Sequence, residues 1–114
     1  MLDIQFVFSN EVPFLIENLT PSIYLRISKF KSKNELNFAM SPSLGFKVKT
    51  GQGIIDSRTF KSLLKANQRN TSVVETELKY FIETRGTIKI EIDNQSPEKL
   101  FQIAVFYTLE RRTK

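Results

Sequence analysis

Two pairs of carboxylates are spaced so that they could act together. Glu75 and Glu77 form one pair, and Glu91 and Asp93 form the other. Residues at i and i+2 lie on one face of an extended strand, about 7 Å apart, a spacing that a glycosidase or a two-carboxylate metal site could use. Each pair, however, lies among lysines and threonines, where cross-strand ion pairs are the more common role. We therefore expect ion pairs at these positions and no catalysis.

The composition excludes several kinds of site. The chain of 114 residues contains no cysteine and no histidine. A zinc site of the Cys/His type, a disulfide, a cysteine nucleophile and a Ser-His-Asp triad are therefore impossible. The sequence predicts a protein that is not an enzyme and needs no metal or cofactor.

The basic residues are concentrated in the middle third of the chain. Residues 1–25 contain three acidic and no basic residues, a net charge of −3, whereas residues 26–69 contain ten basic and two acidic residues, a net charge of +8. Residues 70–114 contain seven of each and are neutral. Such segregation suggests that the middle third meets phosphates or an acidic partner.

Within the middle third, one basic group follows a helical spacing. Its members are Arg58, Lys61, Lys65 and Arg69. On a helix these side chains would share one face and could meet a row of phosphates, with no glutamate at i±4 to neutralise them. A solvated helix surface is the alternative interpretation.

A second basic group precedes it, and consists of Arg26, Lys29, Lys31 and Lys33. In an extended chain the three lysines share one side and Phe30 faces away. Basic residues interleaved with an aromatic residue can bind single-stranded nucleic acid. Lysines along an exposed strand also prevent edge-to-edge aggregation, and we favour this second interpretation.

Alternation of apolar and polar side chains predicts a mainly β protein. The alternating or strand-like runs cover 2–9, 14–16, 23–28, 36–40, 44–49, 73–83, 87–92 and 100–109. Short polar breaks separate them, among them an extended basic turn over 29–34, and no long helix lies between them to build parallel βαβ units. We expect residues 1–114 to form a single antiparallel β-sandwich.

Two segments need separate interpretation. The sequence from Ser57 to Asn67 has a plausible N-cap and good helix formers, so it predicts one short amphipathic helix near residues 57–67. The run over 97–109 opens like a helix at Pro97, but its β-branched and aromatic residues favour a strand. We expect it to form a hairpin with 87–92.

The stretch from Arg85 to Leu109 resembles the closing strands of small jelly-roll-like β-sandwich virion proteins of bacteriophages. In both, an Ile-x-Ile-Glu-Ile strand, here Ile88–Ile92, precedes a polar loop and a long apolar strand. The resemblance covers about a quarter of the chain and is one of pattern. It implies a structural role in a particle and assembly through the sheet edges, and it assigns no functional residues.

These observations favour a non-enzymatic structural or assembly module, a self-associating and capsid-associated virion component whose partners are copies of itself or other structural proteins. The alternative is a basic nucleic-acid-binding module that uses residues 26–69, and a weaker one is a membrane-surface or ligand binder that uses the amphipathic helix. The sequence contains no run of about 18 apolar residues, so we expect no transmembrane helix. Its start lacks the basic region of a signal peptide. We expect a virion location if the chain is phage-encoded, and a cytoplasmic one otherwise.

Overall fold

The computed structural model describes residues 4–33, 36–93 and 102–111. This part of the chain contains eight β-strands and two short 3-10 turns, Phe38–Met40 and Lys61–Leu63. The strands are β1 (Ile4–Ser9), β2 (Phe14–Asn18), β3 (Ile23–Ser32), β4 (Gly45–Thr50), β5 (Gly53–Thr59), β6 (Val73–Ile82), β7 (Gly86–Asp93) and β8 (Gln102–Arg111). The mainly β prediction is confirmed.

The strands form two four-stranded sheets in which every pair of neighbours is antiparallel. Sheet A has the order β1-β8-β3-β6, and sheet B has the order β2-β7-β4-β5. Each sheet therefore has two outer strands, β1 and β6 in sheet A and β2 and β5 in sheet B. These four strands matter for association, because outer strands carry backbone groups that no neighbour in the described sheets pairs.

The two sheets share one buried core. Its side chains come from the inner faces of both sheets, because alternate residues along each strand point inward. The ring centroids of Phe14 in sheet B and Tyr107 in sheet A lie 4.8 Å apart, and those of Phe30 in sheet A and Phe46 in sheet B also lie 4.8 Å apart. Each fully buried phenylalanine contributes about 1.5–3 kcal/mol through loss of apolar surface from water.

The last strand accounts for the run that the sequence left between helix and strand. β8 lies in the middle of sheet A, between β1 and β3. Its inner residues enter the core, and on its outer face Ala104 and Thr108 are also buried. The strand prediction is therefore confirmed over 102–109, and residues 94–101 lie outside the described part of the chain.

The hairpin predicted between 87–92 and 100–109 is wrong. β7 lies in sheet B, where it pairs with β2 and β4, whereas β8 lies in sheet A. Periodicity gave the inward face of each strand correctly, but it carries no information on which sheet a strand joins.

The helix predicted near residues 57–67 is not confirmed. Residues up to Thr59 belong to β5, and only Lys61–Leu63 forms a 3-10 turn. A single helix of about eleven residues is marginal in water, so pairing with β4 and burial of Phe60 outweigh helix propensity. Ser62 also donates its hydroxyl to the Thr59 carbonyl oxygen at 2.7 Å, a local bond that competes with helix formation.

Glycine at position 45 permits the close approach of β4 and β5. A Cβ added at Gly45 would lie 2.1 Å from the carbonyl oxygen of Arg58. Backbone atoms cannot yield at that distance, so any larger residue would push β5 away from β4.

Two further predictions for the middle of the chain are wrong. The run over 36–40 is a 3-10 turn at Phe38–Met40, because the Asn37 side chain accepts a hydrogen bond from the Ala39 backbone N–H at 2.9 Å. Residues 29–32 of the basic turn predicted over 29–34 are instead the second half of β3, which continues to Ser32 beyond a bulge near Ser28, and residue 34 lies outside the described part of the chain.

Candidate functional site

An exposed apolar surface occupies the end of the molecule formed by β1. Ile4, Phe6 and Val7 are 55%, 38% and 42% exposed although all three belong to a strand. The register with β8 places Ile4 and Phe6 on the inner face of sheet A, opposite Tyr107 and Val105, and Val7 on the outer face, opposite Ala104. The inner face of β1 is thus wholly apolar, and Val7 adds an apolar side chain to its outer face.

Neighbouring residues extend this surface. Val12, in the connection between β1 and β2, and Leu15, on β2, are 59% and 53% exposed. The Phe6 ring lies 4.6 Å from that of buried Phe14, which joins β1 to β2. We call the set Ile4, Phe6, Val7, Val12 and Leu15 the apolar end.

The three other outer strands carry features that discourage edge pairing. β6 presents the exposed charges of Glu75, Glu77 and Lys79. β2 has only five residues, follows a proline and includes exposed Glu17. β5 carries a bulge near Ile55 and points two charged residues inward. Short length, surface charge, bulges and inward charges are the devices by which natural sheets protect their edges.

The two inward charges of β5 join the two sheets at the end of the molecule opposite the apolar end. Asp56 and Arg58 face inward because they pair with Val48 and Phe46. The Tyr80 hydroxyl, on β6 of sheet A, donates to the Asp56 carboxylate at 2.5 Å, and Arg58 Nε donates to the same oxygen at 2.8 Å. We call Asp56, Arg58 and Tyr80 the polar lock.

Burial and hydrogen bonding shift the pKa values of the lock. Burial alone would raise the pKa of Asp56, but the hydrogen bonds from Tyr80 and Arg58 outweigh it and hold that pKa below its ordinary value. Burial, and then the bond to the Asp56 carboxylate, raise the pKa of Tyr80. The lock therefore holds a carboxylate and a protonated phenol at neutral pH.

A groove on the outer face of sheet A brings the two predicted basic groups together in part. Lys29 and Lys31 of β3 line a depression of about 550 Å³ together with Lys65, and a second depression of about 580 Å³ adds Arg26. We call Arg26, Lys29, Lys31 and Lys65 the basic groove. Glu75 and Glu77 also line it, so its net charge is +2.

Aromatic residues contribute little to the groove. The predicted partner of the lysines, Phe30, points into the core and is fully buried. Phe106 lies beneath Lys29 instead, with the ammonium nitrogen 4.4 Å from the ring centroid. This cation–π contact engages the Phe106 ring with Lys29.

The remaining predicted basic residues lie elsewhere. Arg58 belongs to the polar lock, and Lys61, Arg69 and Lys33 are exposed outside the groove. The common face expected of Arg58, Lys61, Lys65 and Arg69 does not form, because the helix that would align them is replaced by β5 and a 3-10 turn.

Edge protection does not explain the lysines of β3. That strand lies between β8 and β6 and has paired neighbours on both sides. The interpretation that we favoured from the sequence is therefore wrong for Lys29 and Lys31, which lie in the interior of sheet A.

One member of each predicted carboxylate pair makes an ion pair. Glu91 on β7 pairs with Lys49 on β4, and also with Lys89 at 3.3 Å. The hydrogen bond from Lys49 is the main cause of the lowered pKa of Glu91. Glu75 lies 4.0 Å from Lys65. Among the described residues, no group of three or more acidic side chains could hold a metal ion.

Sequence reasoning missed both ends of the molecule as sites. The signal for the apolar end was present, since Phe6 and Val7 are adjacent apolar residues in a strand without charge. The polar lock had no sequence signal, because Asp56 and Tyr80 are distant in the chain and meet only when the sheets face each other.

No helix in 4–33, 36–93 and 102–111 is long and apolar enough to cross a membrane. No protein-family model matches the chain, and no curated protein is significantly similar to it.

Proposed function

We propose that the chain is a non-enzymatic structural module that assembles with copies of itself as a capsid-associated component of a virion. The apolar end carries this proposal. Its five large side chains are between 38% and 59% exposed. Several large apolar side chains exposed along one edge of a molecule are typical of protein interfaces and costly to leave in water.

The strand order supports the proposal that the fold is a jelly-roll sandwich. The pairs β1·β8, β2·β7, β3·β6 and β4·β5 are those of one long hairpin. Alternate pairs of this hairpin lie in sheets A and B, an arrangement expected of a double-sheet jelly roll with eight strands. Viral capsid domains use that architecture, although fold alone is an argument by analogy.

The test is the state of association in solution. We expect size-exclusion chromatography with light scattering to show an oligomer that dissociates on dilution. A protein that stays strictly monomeric at high concentration, alone and with candidate structural partners, would contradict the proposal.

A second candidate function is binding of nucleic acid in the basic groove. The observation that favours it is the approach of Lys65, from the loop after β5, to Lys29 and Lys31 of β3. Phosphates contacted by lysine release counterions, so such binding weakens steeply as salt is raised.

The variant Lys31→Glu/Lys65→Glu tests this second function. Its matched control is Lys61→Glu/Arg69→Glu, which changes the charge equally but outside the groove. We expect groove binding to be lost in the first variant and kept in the control, for DNA or RNA at about 50 mM salt. Equal loss in both would mean attraction by bulk charge, and no binding by the unmodified chain would eliminate the function.

A further inference from the structure

β1 differs from the other three outer strands in lacking the features that protect a sheet edge. Within Ile4–Ser9 there is no charge and no proline, and its pairing with β8 runs without a shift of register. Among the described residues, no strand pairs with its far side. An uncharged edge without a bulge is a ready template for another strand.

We propose that β1 pairs antiparallel with β1 of a second copy of the chain across a two-fold axis, which joins two A sheets into one of eight strands. This inference rests on the proposed assembly function and identifies its interface. Such an interface is self-complementary and closes at two copies.

The partner strand follows from the other edges of the same molecule. β2, β5 and β6 present a short strand with a glutamate, a bulge with inward charges, and a row of charges, so each is a poor acceptor for an added strand. Of the outer strands described, β1 alone can accept β1. Because Ile4–Ser9 is uncharged, its pairing with itself brings no like charges together.

The alternation of β1 selects the register. With Phe6 on the axis, Ile4 of one copy faces Phe8 of the other, and Phe6 faces Phe6, so the inner row is wholly apolar. In the outer row Gln5 faces Val7. This register gives each of the three exposed apolar side chains of β1 a neighbour across the axis, whereas a register centred on Val7 leaves Ile4 beyond the overlap.

Charge variants of the outer row test the pairing. Gln5 and Val7 are exposed and point away from the core, so the fold tolerates their replacement. We expect Gln5→Lys/Val7→Lys and Gln5→Glu/Val7→Glu each to raise the dimer Kd at least about tenfold, because like charges then face each other. An equimolar mixture of the two is expected to restore association, measured by light scattering and by analytical ultracentrifugation.

The control is Ile54→Lys, which places a lysine on β5 at a side chain that is 57% exposed. It is expected to leave association unchanged. If the two β1 variants stay assembled, the interface is elsewhere, and the inference fails while the proposed function stands. If each β1 variant is monomeric and their equimolar mixture is also monomeric, β1 contacts a different surface, and self-pairing is overturned. If the unmodified chain is itself monomeric, both fail.

Discussion

The core is closed from water in different ways at the two ends of the molecule. At both ends the two sheets come to an edge, and the core must be closed from water there. At the β5 and β6 end, closure is polar: Asp56 accepts hydrogen bonds from Arg58 and Tyr80, and Phe60 is buried behind them. At the β1 and β2 end, closure is apolar and incomplete, with Phe6 packed against Phe14 but 38% exposed.

This contrast separates stability from association. The polar lock satisfies its own donors and acceptors and presents inward charges to any approaching strand, so it stabilises the monomer and discourages a partner. The apolar end leaves its side chains without full cover, so it contributes little to the monomer and favours a partner. On the assembly that we propose, the polar lock therefore stabilises the monomer and the apolar end meets a second copy.

The largest expected change in stability comes from removing one phenylalanine at each end. Phe60 is fully buried against Phe38, with ring centroids 4.8 Å apart, and against Phe30 and Phe46. We expect Phe60→Ala to lower the free energy of unfolding by about 3–5 kcal/mol in urea denaturation. Phe6→Ala, the matched control, should cost only about 1 kcal/mol in the monomer because much of the ring is already in water. Equal losses would show that the two ends are closed equally.

A smaller effect is expected from the polar lock. Tyr80→Phe removes the hydroxyl that bonds Asp56 and should lower the free energy of unfolding by about 1–2 kcal/mol, since Arg58 still pairs with the carboxylate. Tyr24→Phe is the control, on the outer face of sheet A beneath Lys79, with an expected change within about 0.5 kcal/mol. If Tyr80→Phe is as silent as the control, the lock does not stabilise the fold.

The smallest effect is the dependence of stability on pH. The pKa of Asp56 in the folded chain lies below its ordinary value of 3.8. The unfolded chain therefore binds the proton first as pH falls, so this stabilisation is complete well above pH 3.8 and is lost between there and the folded pKa. We expect urea denaturation to show a fall in stability from about pH 5 to pH 3 that is shallower in Asp56→Asn.

The parallel measurement uses Glu91, whose pKa is also lowered but whose side chain, on the outer face of sheet B, is 25% exposed against 16% for that of Asp56. Glu91→Gln should flatten the same curve less than Asp56→Asn, because exposed ion pairs are screened by solvent. The reverse order would contradict the role assigned to the lock.

The sequence predicted the strands well where one face is buried. Ile88, Ile90 and Ile92 alternate with polar residues in β7, and Val74, Leu78 and Ile82 point inward from β6 as expected. Alternation reports burial directly, so these assignments needed no knowledge of neighbouring strands.

The sequence failed where distant contacts decide local structure. Residues 57–59 have helix-compatible composition but pair with β4, and Leu36, Phe38 and Met40 alternate although Met40 is exposed while Phe38 is buried. The candidate sites show the same division. Lys29 and Lys31 lie on one side as predicted, whereas their approach to Lys65 depends on how the loop after β5 returns to sheet A.

The nested pairing of the strands has a consequence for how the chain folds. β4 and β5 are joined by a tight turn at Gly51 and Gly53, whereas Ile4 must find Tyr107 across nearly the whole chain. Loop-closure entropy favours zippering outward from the central hairpin, so β1 docks among the last elements and high contact order makes folding slow. Because β1 docks late, the rest of the fold depends on it least. We therefore expect misfolding to occur by exchange of β1 between nascent chains.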